Sequence, residues 1–163
     1  MNNNKLIFPM YKWAQDLFPI ARSITGPGVR QTLKYLQNIN PELKIKSVKT
    51  GEKFFDWEVP SEWFPADAWI KNNKGKKIID FKKNNLHLVG YSKSIKKKLK
   101  LKDLNKHLHS LSDQPNAIPY VTSYYKKNWG FCLTENQRKK LKDESYQVYI
   151  DTSFKRGVLN YGE

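Results

Sequence analysis

Three histidines, a single cysteine and scattered carboxylates are the residues of this chain whose types could do chemistry. His107 and His109 stand two apart. On a helix that spacing turns their side chains about 200° around the axis, so they could chelate one metal ion only from an extended segment. Asp113 completes the nearest set of donors a metal would accept. His87 lies in an alternating apolar stretch, where a packed histidine is commoner than a ligand. Cys132, between Phe131 and Leu133, has the surroundings of a buried thiol, and as the sole cysteine it builds no intrachain disulfide and no thiolate zinc site. No Gly-x-Ser-x-Gly elbow presents a serine nucleophile. Asp56 and Glu58 share one face of an expected strand, but two carboxylates without a hollow form a solvated edge rather than an acid/base pair. These residues assign no catalytic group and no metal ligand.

A denser constellation follows Pro119. Tyr120, Tyr124, Tyr125 and Trp129 fall within ten residues, and such a cluster either plugs a loop onto its own sheet or presents a recognition surface. These four are the candidates for lining a cleft. Gly26-Pro27-Gly28 could open a helix as a phosphate cradle, but it lacks the glycine spacing and lysine of a P-loop.

The charge is +15, and it is uneven. Lys71 to Lys106 holds 13 lysines against Asp80 and Asp103, a net +11. Only Arg22, Arg30, Arg138 and Arg156 are arginine, the residue best suited to bidentate phosphate and base contacts. A lysine-heavy segment of this kind attracts polyanions weakly, and a polyanion- or nucleic-acid-binding module using it is the alternative function.

The elements that must position these residues can be read from periodicity. Met10, Trp13, Ala14, Leu17 and Phe18 predict an amphipathic helix over residues 8–18, closed by Pro19. Pro27 opens a second helix, capped by Thr25 or Gly26 and ended before Asn40-Pro41. Leu43, Ile45 and Val48 predict a strand, Gly51 a turn, and Phe54 to Val59 a second strand. Pro60 and Pro65 punctuate the chain around Trp63 as at a boundary. Beyond them Ala68 to Ile70 and Ile78 to Phe81 read as a hairpin around Asn72-Asn73-Lys74-Gly75, Leu86 to Val89 as a strand, and Leu101, Leu104 and Leu108 as a short helix. Trp129 to Leu133 reads as a strand, and Thr134 with Gln137 matches a capping box for a helix reaching Leu141. Tyr146 to Ile150 and Val158 to Tyr161 are expected to return to the first sheet.

Certain runs carry a wider likeness. Leu17-Phe18-Pro19-Ile20-Ala21-Arg22-Ser23-Ile24-Thr25-Gly26, Phe55 to Trp63, Asp80-Phe81 with Asn84 to Ser92, and His107 to Leu111 running into the tyrosine loop resemble a bacterial zinc-aminopeptidase-like family with an inserted domain of uncharacterised function. Ala21 departs from it, standing where a small cysteine is expected, as does the lysine enrichment from Lys93 to Lys106. The resemblance implies an α+β fold: an incomplete aminopeptidase-like α/β domain carrying a mixed, strand-rich insertion. Residues 1–59 would open the aminopeptidase-like domain, residues 60–143 form the insertion and residues 144–163 supply return strands.

In complete relatives the resemblance implies zinc, a peptide-like or amide substrate, and hydrolysis by a metal-activated water. The family's zinc ligands have no counterpart in these residues, so the expectation is an N-terminal fragment, a truncated gene product or a chain whose partner supplies the ligands, inactive alone and without a cofactor of its own. An uncovered sheet would favour self-association. With no apolar run near the roughly 18 residues that cross a bilayer and no signal-peptide core, a cytoplasmic protein without a membrane partner is expected.

Overall fold

The computed structural model describes residues 4–163. Two helices come first, α1 (Asn4–Leu17) and α2 (Pro27–Ile39), followed by β1 (Ile45–Lys49) and a two-residue ladder of β2 (Lys53–Phe54) with β3 (Trp57–Glu58). The chain then enters β4 (Glu62–Lys71), β5 (Lys77–Asp80), β6 (Ile95–Lys100) and a single helical turn, α3 (Leu101–Leu104). After β7 (Leu108–His109), β8 (Phe131–Cys132) and α4 (Glu135–Lys139), it closes with β9 (Ser145–Lys155) and β10 (Val158–Gly162). The fold is α+β.

Its centre is an antiparallel sheet in the order β5-β4-β9-β6. Residues 68 and 70 of β4 and 146, 148 and 150 of β9 alternate inward, so Ala68, Ile70, Tyr146, Val148 and Ile150 are buried on one face. Against that face pack Leu88, Leu104, Leu108, Phe131 and Leu133 from the connecting segments. Pro65 sits within β4 despite lacking an amide donor, because the register with β9 shifts between Pro65 and Asp67. The hairpin from β4 to β5 turns where expected. Asn72 Oδ1 accepts the amides of Lys74 (3.1 Å) and Lys76 (2.9 Å), while Gly75 takes φ +78°.

A second, smaller sheet pairs β1 with β10, and Leu33 of α2 is buried beside it. The two units differ in how well they are filled. Every residue of the main buried cluster lies between Trp63 and Ile150. On α1, by contrast, Phe8, Met10 and Tyr11 are exposed, as is Phe18 just beyond it.

Several expectations are corrected. The first helix begins at Asn4 and runs through Pro9 rather than starting at residue 8. Phe54 to Val59 is not one strand: Phe55, at φ +57°, turns the chain between β2 and β3, so Asp56 and Glu58 share no strand face. His87 lies in a 3-10 turn, Asn85–His87, instead of an alternating strand, because Asn84 Oδ1 caps it through the Leu86 amide. The helix expected from Leu101 to Leu108 stops after one turn, passes into a 3-10 turn (Asn105–His107) and gives way to β7. The lysine run, unassigned from periodicity, is the edge strand β6, where charge discourages pairing with another chain. β9, expected in the sheet of β1, runs instead through the middle of the central sheet between β4 and β6, and only β10 returns to β1. The strand expected to open the return therefore builds the central sheet.

Candidate functional site

Where the two units meet, the wall of a hollow of about 600 Å³ is built from several separate chain segments. Thr50 and the stretch from Glu58 to Ser61 contribute to it, as do the loop from Ser123 to Lys127, Phe154 near the end of β9 and Arg156 just beyond that strand. Tyr91 forms part of the wall. It takes φ +62°, a left-handed conformation costly for a bulky side chain. That turn aims its ring between Trp63 (stacked, 5.8 Å between centroids), Phe154 (6.0 Å) and Tyr124 (edge-on, 5.0 Å). Its hydroxyl lies 2.5 Å from Thr25 Oγ1 and donates to the Ser61 carbonyl at 3.1 Å. Tyr91 thereby fastens the segment before α2 to the entry of β4.

The rim is held by further bonds. Tyr125 donates its hydroxyl to the Glu58 carbonyl at 2.6 Å, joining the tyrosine loop to the β2-β3 hairpin. Arg156 Nη2 donates to the Thr50 carbonyl at 3.0 Å, and Thr50 Oγ1 accepts the Gly157 amide at 3.0 Å. Burial first, then the charge of Glu58 and the Tyr124 phenol, pushes the Tyr125 hydroxyl above its ordinary range. Burial is also the leading influence on Tyr91, whose hydroxyl is likewise raised despite bonds that favour ionisation. Both phenols are therefore protonated donors at neutral pH.

Of the four aromatic candidates, the structure brings Tyr124 and Tyr125 to this wall. Tyr120 is 62% exposed and lies outside the lining, and Trp129 is 7% exposed within the core, its ring stacked on His107 at 3.6 Å. Trp129 was a cleft candidate only through its nearness in sequence; its indole instead belongs to the buried cluster of the central sheet. The residues missed were Tyr91, Lys93, Phe154 and Arg156. Tyr91 stood within one of the runs carrying the family likeness, whereas nothing in the sequence joined Phe154 and Arg156 to a loop thirty residues earlier.

The histidines stay apart from this hollow. His87 is buried, with Nδ1 2.7 Å from the Cys132 carbonyl oxygen, and burial is the main cause of its lowered pKa. His107 Nδ1 lies 3.1 Å from the Trp129 carbonyl. His109 is pushed down by burial, then by Arg138 and His107. Asp113 is exposed, and among the described residues no three His, Cys, Asp or Glu side chains gather to hold a metal ion. Gly26 and Gly28 make no phosphate cradle: an added Cβ would fall 2.7 Å from the Trp63 carbonyl oxygen at the first and 2.0 Å from that of Ala21 at the second. Those glycines serve close backbone packing. Among the described residues no helix is long and apolar enough to cross a membrane.

This architecture matches a defined class. Residues 62–153, more than half of the chain, match the family described as a domain of unknown function (DUF2172), and the chain belongs to that family. A Clostridium acetobutylicum protein, provisionally named for polysaccharide biosynthesis and for an aminopeptidase-like domain, is 49% identical over 154 residues, covering 94% of this chain and 35% of its own length. A crystal structure from the same organism, provisionally described as a peptidase, superposes with a TM-score of 0.90 at 47% identity, covering 99% of this chain and 38% of that one. The chain thus spans little more than a third of the relatives it matches.

Proposed function

We propose that this chain is part of a peptidase-like hydrolase that cleaves peptide or other amide bonds. In this reading residues 4–59 with β10 open an aminopeptidase-like domain, the segment between them is an insertion, and the hollow at their junction borders the substrate cleft. The observation that carries it is the unequal filling of the two units. The central sheet has a closed core of its own, while the first unit leaves Phe8, Met10, Tyr11 and Phe18 uncovered in a chain that superposes on 38% of a longer protein described as a peptidase. An uncovered apolar face of this kind fits packing by the further sequence that the relatives carry.

The donors among the described residues do not fit a catalytic zinc, which needs three protein ligands around an open position. Its ligands, on this proposal, come from sequence that the chain does not span. What these residues contribute is a wall: the protonated phenols of Tyr91 and Tyr125 donate to fixed carbonyls, and Tyr124 and Phe154 offer apolar surface to a bound substrate. The polyanion alternative is supported less well, because the lysines of β6 occupy a sheet edge where charge has a structural use.

Metal analysis and an aminoacyl-amide assay test the reading. The 163-residue chain should bind no stoichiometric zinc and show no turnover. The same chain joined to the segment of the Clostridium relative that it does not span should acquire both. Stoichiometric zinc with turnover in the chain alone, lost in His107→Ala or His109→Ala, would overturn it.

A further inference from the structure

The hollow is aromatic on its inner wall and strongly basic at its rim. Lys93, Lys126, Lys127 and Arg156 line it against one carboxylate, Glu58. Among the described residues none of those four cations makes an ion pair within 4.0 Å. Arg156 gives one guanidinium nitrogen to the Thr50 carbonyl and keeps further donors for another group. Some cations elsewhere on this protein have evident structural roles. Arg30 is paired with Glu62, Arg138 with Ser110 and the Asn105 carbonyl, and the lysines of β6 guard a sheet edge. Of the four around this concavity Arg156 has one such bond, to Thr50, while among the described residues the ammonium groups of Lys93, Lys126 and Lys127 have none, and phenols that stay protonated stand beside them.

We propose that this hollow is a binding site for a small ligand bearing an oxyanion, a carboxylate or a phosphate, joined to a planar or apolar group that packs against Tyr124 and Phe154. A volume of about 600 Å³ suits a dipeptide-sized molecule. The four cations exceed what one carboxylate can neutralise, so a neutral ligand would leave them no better satisfied than water does. The proposal deepens the hydrolase reading by naming the charge of its substrate and rests on that reading only there. Binding of an oxyanion by this chain does not depend on turnover.

The test is a titration of the 163-residue chain, followed by amide chemical shifts, with alanyl-phenylalanine, its C-terminal amide, and inorganic phosphate at physiological salt. Saturable binding of the free dipeptide or of phosphate, with shifts at Tyr91 and Arg156 and the dipeptide amide about tenfold weaker than its acid, is expected. The tighter of the two anions names the source of the oxyanion. Lys93→Gln, whose ammonium holds no structural bond, should weaken binding severalfold, and Arg156→Lys should weaken a bidentate contact while keeping the charge. Lys96→Gln and Lys98→Gln on β6 serve as controls and should change nothing. Equal affinity for the dipeptide acid and amide without phosphate binding would overturn the proposal. So would equal weakening by the β6 variants, or shifts confined to β6. If the joined protein fails to hydrolyse amides while this binding is seen, the hydrolase reading falls and the anion site stands; turnover without it has the opposite meaning.

Discussion

Replacing Arg30 with methionine strands a carboxylate that has nowhere else to go. Glu62 is 7% exposed in its side chain, whereas Arg30 is 36% exposed. Arg30 Nη2 donates to Glu62 Oε2 at 2.9 Å, and the Val158 amide donates to Oε1 at 2.8 Å, so one side chain ties α2, β4 and β10 together. Losing one partner of a buried pair typically costs about 3–5 kcal/mol, and partial exposure of Arg30 places this case near the low end, about 3 kcal/mol.

The pH dependence supplies a sign. Burial raises the Glu62 pKa, but the Arg30 hydrogen bond, the Val158 amide and the Arg30 charge outweigh it, so the folded value lies below the ordinary one. Its contribution to stability is present above the unfolded pKa and lost as pH falls through the folded one. Without Arg30, burial dominates and the folded pKa rises above the unfolded value. The penalty in R30M should then shrink as pH falls from 7 towards the carboxylate range, and R30M/E62Q should recover at least about 1 kcal/mol at pH 7. Urea denaturation of wild type, R30M and R30M/E62Q at pH 7 and pH 5 measures this. A cost below about 0.5 kcal/mol for R30M, or a gap to wild type that widens on acidification, refutes the reasoning.

The imidazole of His87, lowered chiefly by burial against the opposing Cys132 carbonyl and Asp80, binds fewer protons folded than unfolded; its stabilisation should be full above about pH 6.5 and lost below, and His87→Gln should flatten that dependence in thermal melts. The Cys132 thiol, buried and pushed up to about 12, should react with a thiol reagent at pH 8 only as fast as the chain unfolds. Gly26→Ala must place a side chain at φ +91° and 2.7 Å from the Trp63 carbonyl oxygen, which should cost roughly 2–3 kcal/mol in a denaturation assay.

Local chemistry was legible wherever it was local. The second helix with its leading proline, the hairpin around Asn72, and the capping box at Thr134, where Gln137 and Thr134 exchange bonds, follow from residues a few positions apart. Periodicity failed where a strand has a charged edge or a bulge. Lys96, Lys97 and Lys98 conceal β6 because three successive exposed lysines erase the alternation, and Pro65 concealed the length of β4. Strand partnership was beyond reach for a different reason. Tyr146 to Ile150 alternates equally well for either sheet, and only the cross-chain register with Ile70 and Leu99 decides. The hollow was half visible: Tyr124 and Tyr125 announced themselves by density, but Tyr91 depends on a positive φ and Arg156 on the return of β9, neither of which has a periodic signal.

The central claim is that the hollow at the junction borders the cleft of an assembled amide hydrolase. It is tested most directly by kcat/KM for an aminoacyl-amide substrate in the chain joined to the remaining segment of its Clostridium relative, with and without Tyr125→Ala. Tyr125 is 60% exposed and its hydroxyl closes the rim on Glu58, so its loss should leave the melting temperature nearly unchanged. The account predicts active wild-type protein and a fall of about tenfold or more in kcat/KM for the variant. Turnover that is unaltered by Tyr125→Ala would contradict it.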